Sequence, residues 1–171
     1  GVRGGVGPHE EVLRSHYGRA FHWEGCGAAR TTIGVESDGT LKGCPSLQTA
    51  DYAAGNLRET SLPVLWKSSP VFERHRAEPE LLGACGTCYY AETCRGGCAF
   101  TSHAILGRTG NQPYCYHRAD ELRKRGLRET LVPVKPPPGR PFDSGLFELR
   151  EEPYEPGDGT VPEVPSTRRH R

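Results

Sequence analysis

Seven cysteines, spaced Cys26-x17-Cys44 and then Cys85-x2-Cys88-x5-Cys94-x3-Cys98-x16-Cys115, constrain this chain more than any other feature. An odd number cannot close completely into intramolecular disulfides, and clustered cysteines in a reducing compartment read more naturally as metal ligands. Val, Leu, Ile and Phe together make only 31 of the 171 residues. At about 18% of the chain this is too little apolar material for an ordinary core. Metal binding then has to supply part of the fold. A tight loop brings the sulfurs of Cys85 and Cys88 to one side, with backbone N–H groups pointing at them. Gly83, Gly86, Gly96 and Gly97 suit a chain that wraps closely around a centre, because those positions carry no side chain. Buried thiolates concentrate negative charge that only a cationic centre offsets, so an empty site should be unstable.

Spacing alone leaves the metal open. One structural zinc takes four ligands, which leaves three cysteines, and a second zinc would need histidine. His22, His103 and His117 lie near the cysteines, although each alone is more often a surface or core histidine. Two cubane iron–sulfur clusters take eight ligands, or seven if one iron is left open or is bound by something else.

Charge and hydropathy remove other classes. Lys and Arg number 22 against 21 Asp and Glu, a formal charge of +1, far from the basic surplus of a nucleic-acid binder. No run approaches a membrane span, and the first 25 residues contain no apolar stretch suited to a secretory signal. The expectation is a cytoplasmic protein with no nucleic-acid or membrane partner. The chain starts at Gly1 and lacks Met, as if cut from something longer.

The pattern predicts a small, irregular α+β fold in which a β-hairpin and short helices wrap around the cysteines and the metal they hold. A helix is expected over Glu10 to Tyr17. Strands over Thr31–Glu36 and Thr40–Lys42 flank Ser37-Asp38-Gly39, a hairpin signal because Asp and Gly tolerate positive φ. Ser61 and Ser69-Pro70 open two helices, the first with Leu62, Leu65 and Trp66 on one buried face. Further helices follow Cys98 to Gly107 and run from Tyr116 to about Arg125. Nine of the 15 prolines fall from Pro133 onward, which predicts a disordered tail. The expected organisation is therefore a remnant of an upstream domain over 1–20, the cysteine domain over 21–130 and the tail over 131–171.

The pattern Cys26-x12-Gly39-x4-Cys44, then Cys85-x2-Cys88-x5-Cys94-x3-Cys98, then Cys115, resembles the SPASM domain found at the C-terminal end of many radical S-adenosylmethionine enzymes that modify peptides. Thr32 to Lys42 looks like that family's hairpin. Gly55-Asn56 followed by Ser61-Leu62 and Trp66 looks like its linking segment, and Cys94-Arg95-Gly96-Gly97-Cys98 like its glycine-rich turn. The resemblance covers about Cys26 to Gly126.

It implies two auxiliary 4Fe-4S clusters. Cys26, Cys44 and Cys98 would hold the first, with one iron bound by His22, by an upstream cysteine, by substrate or by solvent. Cys85, Cys88, Cys94 and Cys115 would hold the second. The family's radical-generating barrel carries Cys-x3-Cys-x2-Cys; here only Cys94-x3-Cys98 begins it, and Thr101 stands at the third position. S-adenosylmethionine would therefore bind only through a barrel domain outside these residues, and the partners implied are that barrel and a peptide or protein substrate. Pro45 follows the second cysteine where the sulfatase-maturing branch has a proton-abstracting Asp, so that role is not carried over. No catalytic residue is assigned, since Ser102 and His103 are adjacent in an expected helix and face different directions.

Two functional readings follow. One is the auxiliary-cluster domain of a radical S-adenosylmethionine oxidoreductase or peptide maturase, not catalytic alone. The other is a zinc-stapled binding module without a redox role. A redox-sensing thiol protein is weaker, because tightly ligated cysteines are poor nucleophiles.

Overall fold

The computed structural model describes residues 25–139 and 145–154. The expected helix over Glu10 to Tyr17, His22 and the residues after 154 lie outside them. Mixed short helices and two small antiparallel sheets make up the α+β architecture expected from the sequence.

The chain enters through a tight loop in which the Gly27 carbonyl accepts the N–H groups of Arg30, Thr31 and Thr32. This loop uses up the residues read as the start of a strand, so β1 is only Gly34–Val35. β2, Thr40–Lys42, pairs with it antiparallel, Val35 opposite Leu41. At the turn the Gly39 N–H donates to Glu36 O and the Glu36 N–H to Thr40 O. Only Gly39 takes a positive φ, +92°. Asp38 serves instead through its carboxylate, which accepts the Thr40 N–H at 2.9 Å.

After helix α1, Thr49–Tyr52, strand β3, Ala53–Asn56, completes a three-stranded sheet in the order β1-β2-β3. Helices α2, Leu62–Ser68, and α3, Pro70–Arg76, begin where Ser61 and Ser69-Pro70 predict, each with proline in its first turn. Leu65 of α2 packs onto Gly55 of β3, where an added Cβ would stand 2.5 Å from Leu65 Cδ2. Leu62, at the N-terminal end of α2, is 38% exposed, so the expected buried trio reduces to Leu65 and a partly buried Trp66. The core gathers Ala29, Leu41, Ala54, Leu65 and Phe72, with Trp66 edge-on to Phe72 at 5.6 Å. Phe72 is fully buried, a contribution of about 1.5–3 kcal/mol. A second, smaller cluster of Ala28, Leu47 and Tyr52 has Cys26 and Cys44 packed on it.

A 3-10 turn over Gly83–Thr87 and helix α4, Ala91–Cys94, carry the central cysteines. Helix α5, Ala99–Leu106, stops at Gly107 in the left-handed conformation, and α6, Tyr116–Lys124, follows Cys115. Both match the sequence expectation.

The C-terminal segment corrects it. β4, Leu127–Lys135, and β5, Leu146–Pro153, pair antiparallel along almost their whole length, so residues 131–135 and 146–153 are not a disordered tail. Leu131 faces Leu149, Pro133 faces Phe147, and Arg128 Nε meets Glu152 Oε1 at 2.7 Å. Proline misleads here because of where it falls. Pro133 sits beside a register irregularity in a two-stranded sheet, where each strand has a free edge that tolerates proline, and Pro136 to Pro138 lie beyond the end of β4. β4 packs on α6 and β5 on α5, which ties the hairpin to the cysteine region.

Candidate metal centres

Three segments lie against one another around Cys85. A Cβ on Gly96 would stand 2.7 Å from Gly110 Cα, one on Gly97 2.6 Å from Gln112 Cβ, and one on Gly83 3.0 Å from Asn111 Nδ2. The glycine-rich turn between Cys94 and Cys98 thus passes directly over residues 110–112, a contact that a side chain would prevent. Gly96 and Gly97 also take positive φ, +77° and +78°.

Arg118 of α6, three residues after Cys115, fixes the 111–113 segment. Its guanidinium donates to Asn111 Oδ1 at 2.6 Å and to Gln112 O at 2.8 Å, and its Nε meets Glu129 Oε2 of β4 at 2.7 Å. Arg118 is only 7% exposed, so this is a buried ion pair with hydrogen bonds to its remaining donors. Cys85 Sγ lies 3.7 Å from Asn111 Oδ1, and the Tyr90 N–H donates to Cys88 Sγ at 3.4 Å. Burial pushes the Cys85 thiol up; the Gln112 backbone N–H and Arg118 oppose the rise, while the neighbouring Cys115 and Cys88 add to it. Cys88 and Cys115 thus lie close enough to Cys85 to act on its thiol, and Cys94 ends the helix that packs on the Cys85 turn.

Of the other three cysteines, Cys26 lines a cavity of about 350 Å³ together with Tyr52, His75, Gly97 and Ala99. Cys98 stands between the last two. Cys44 lies on the same side, since it packs with Cys26 against Leu47 and Tyr52. Its loop is held by the buried Lys42 ammonium, which donates to Leu47 O at 2.6 Å and Pro45 O at 3.2 Å and pairs with Glu36. Arg30, Arg74 and Arg95 also line the cavity, together with Glu78 and Glu80, and Arg95 pairs with Glu78 at 3.0 Å.

Tyr52 is the centre of this wall. Its ring stacks on His75 at 5.4 Å, and its hydroxyl is 2.8 Å from His103 Nδ1, whose Nε2 is 3.6 Å from Asp51 Oδ2. Burial pushes the Tyr52 phenol up and, with Arg74 adding to it, the His75 imidazole down. His75 Nε2 is buried without a hydrogen-bond partner.

The donor set fits iron–sulfur chemistry. No disulfide joins any of the seven cysteines, each is partly buried, and backbone N–H groups are aimed at Cys85 and Cys88. Among the described residues no three His, Cys, Asp or Glu side chains converge tightly enough to hold a single metal ion. His103 is taken by Tyr52, and His117 packs edge-on to Tyr90 at 4.8 Å. Sequence reasoning missed His75, Tyr52 and Arg118. No spacing rule marks them, because their partners stand far along the chain, His75 and His103 for Tyr52 and Glu129 for Arg118. Among the described residues no helix is long and apolar enough to cross a membrane.

Comparison with known proteins bears out the resemblance drawn from the cysteine spacing. Residues 26–89 match the family model of SPASM, an iron–sulfur cluster-binding domain. The chain is 38% identical over 92 residues to the mycofactocin maturase MftC of Mycobacterium ulcerans, which covers 53% of this chain and 25% of that protein. The same enzyme of Mycobacterium tuberculosis is likewise 38% identical over 92 residues, 53% of this chain and 23% of that protein. The AdoMet-dependent heme synthase of Nitratidesulfovibrio vulgaris is 27% identical over 108 residues, 63% of this chain and 28% of that protein. The chain thus spans about a quarter of the length of these relatives.

Proposed function

With a SPASM iron–sulfur segment over residues 26–89 as the premise, we propose that this chain holds two auxiliary 4Fe-4S clusters serving a radical S-adenosylmethionine enzyme that modifies a peptide or protein. Cys26, Cys44 and Cys98 hold the first, beside the cavity that Cys26 lines; Cys85, Cys88, Cys94 and Cys115 hold the second. The observation that supports this reading is that Cys26 and Cys44 pack on one small cluster beside the cavity, while Cys85 lies near Cys88, Cys115 and Arg118.

Bound there, the clusters supply one-electron redox chemistry and, at an iron short of a protein thiolate, a further ligand position. The protein's own groups set the conditions. The Tyr90 and Gln112 N–H groups stabilise charge on the sulfurs of Cys88 and Cys85. Arg118 locks the segment before Cys115, so that its sulfur and that of Cys85 keep a fixed relation. The radical-generating barrel is supplied by residues outside this sequence, whether in a longer form of the same protein or in a partner.

The rival reading, a zinc-stapled module, needs four ligands around one tetrahedral metal at about 2.3 Å from each sulfur. A cubane takes each thiolate on a different iron and so leaves its cysteines further apart. Anaerobic purification with iron, sulfide and zinc analysis decides between the two. About eight iron and eight sulfide per chain are expected for the two clusters; colourless protein with stoichiometric zinc would overturn the reading.

A further inference from the structure

The first sheet runs β1-β2-β3, which makes β1 an edge strand. The Glu36 N–H donates to Thr40 O, and Gly34 stands opposite Lys42. The alternation of an antiparallel ladder then turns the N–H and C=O groups of Ile33 and Val35 away from β2, and among the described residues no strand pairs with them on that side. Ile33 and Val35, two residues apart, also present their side chains on one face. Ile33 lines an open groove of about 470 Å³ with Leu62, Pro63 and Trp66. Val35 is 55% exposed and adds to this apolar surface.

The charge around the groove has one sign. Arg30 and Lys67 line it, and no carboxylate does. Arg30 donates to the Arg76 carbonyl, and the Arg76 guanidinium lies over the Trp66 ring at 5.1 Å, spending its donors on the Phe72 and Trp66 carbonyls. Among the described residues none of these three cations meets a carboxylate. Glu36, next to Val35, falls on the opposite face of the strand and pairs with Lys42.

We infer that this edge and groove bind an extended acidic peptide by strand addition. The peptide pairs its backbone with Ile33 and Val35, lays alternate apolar side chains against Leu62 and Trp66, and sets its carboxylates on Arg30 and Lys67. A nucleic-acid strand would meet the same cations but has no amide ladder to offer the edge. The assignment deepens the reading above by giving the class of its peptide partner, and it rests on that reading for calling the peptide a substrate.

The anaerobically loaded full chain is titrated with a fluorescein-labelled decapeptide of alternating valine and glutamate, binding is read by anisotropy, and iron is counted on the same sample. Binding is expected, with hydrogen exchange slowed over residues 31–36. Arg30→Glu and Lys67→Glu change exposed side chains, and each should weaken binding about tenfold or more, the loss of one charge-assisted contact. Val35→Pro removes the outward N–H and leaves the pairing with β2, so it should weaken binding as well. Urea midpoints equal to that of the wild type show that the variants keep the fold. If a decapeptide of alternating valine and lysine binds as well, or a thymidine dodecanucleotide binds better, the acidic-peptide assignment fails. If the glutamate peptide binds both charge-reversal variants unchanged, or slows exchange only elsewhere, the site assignment fails. Iron-free protein that still binds the peptide over 31–36 overturns the cluster reading alone; iron-loaded protein that ignores the peptide overturns this inference alone.

Discussion

Arg118→Ala removes one side chain and leaves two partners stranded. In the native chain its guanidinium answers Glu129, Asn111 Oδ1 and Gln112 O, all within 2.8 Å, while Arg118 is 7% exposed and the Glu129 side chain 15%. Truncation leaves a buried carboxylate without its counter-charge, a loss of about 3–5 kcal/mol. With a urea dependence of about 2 kcal/mol per molar, the unfolding midpoint should fall by about 1.5–2.5 M. Because the same side chain pins the segment between the Cys85 turn and Cys115, iron of the second centre should become labile to chelator in parallel. The assay is urea unfolding of the anaerobically loaded protein, followed by circular dichroism and by visible absorption. The double variant Arg118→Met/Glu129→Leu should recover most of the midpoint, since a packed apolar pair is often as stable as the ion pair it replaces. A midpoint shift below about 0.3 M for Arg118→Ala, equivalent to about 0.6 kcal/mol, would refute the buried-pair argument. Unchanged chelator resistance would refute its link to the metal.

Cys88→Ala should lose the iron of one centre and the order of the 83–98 region, yet keep the Phe72 core; far-ultraviolet dichroism alongside iron counting checks both. Gly110→Ala would place a Cβ 2.0 Å from Glu80 O at a φ of +87°, so it should lower the unfolding midpoint more than any alanine substitution on the exposed face of α6, as paired urea titrations would show. In the metal-free chain, burial holds Cys85 protonated to higher pH, so less thiolate is present at pH 8 and alkylation should be slower than in the urea-unfolded chain; equal rates, read by mass spectrometry, would contradict it. The sign for stability follows: a thiol pKa raised on folding favours the folded state at low pH and loses that contribution as pH rises through the unfolded value toward the folded one. Truncation before residue 136 removes β5 and its packing on α5, and the melting temperature should drop.

Local chemistry was legible wherever it acted over a few residues. Asp38-Gly39 marked the hairpin, Ser61 and Ser69-Pro70 the starts of α2 and α3, and Gly107 the end of α5, because caps and turns are decided by neighbours in sequence. β3 was not legible: Ala53-Ala54-Gly55-Asn56 has no strand propensity and is extended only because β2 pairs with it and Leu65 fills the space over Gly55. β4 and β5 were obscured by averaging proline over two paired strands and the connector between them. At the candidate centres the cysteines announced themselves by spacing, whereas Arg118 and His75 look like ordinary helix residues until the fold brings Asn111 to one and Cys26 to the other.

The Phe72 core contains none of the seven sulfurs, although the smaller Leu47–Tyr52 cluster beside it touches two of them. Biogenesis acquires an order from this. One wall of the first pocket can set before any iron is delivered, like half of a mould. On the reading proposed above, the other centre, made of glycine turns and a single buried arginine, would be cast around its cargo. A cell short of iron would then accumulate half-formed protein with a recognisable hairpin and an open, protease-sensitive flank.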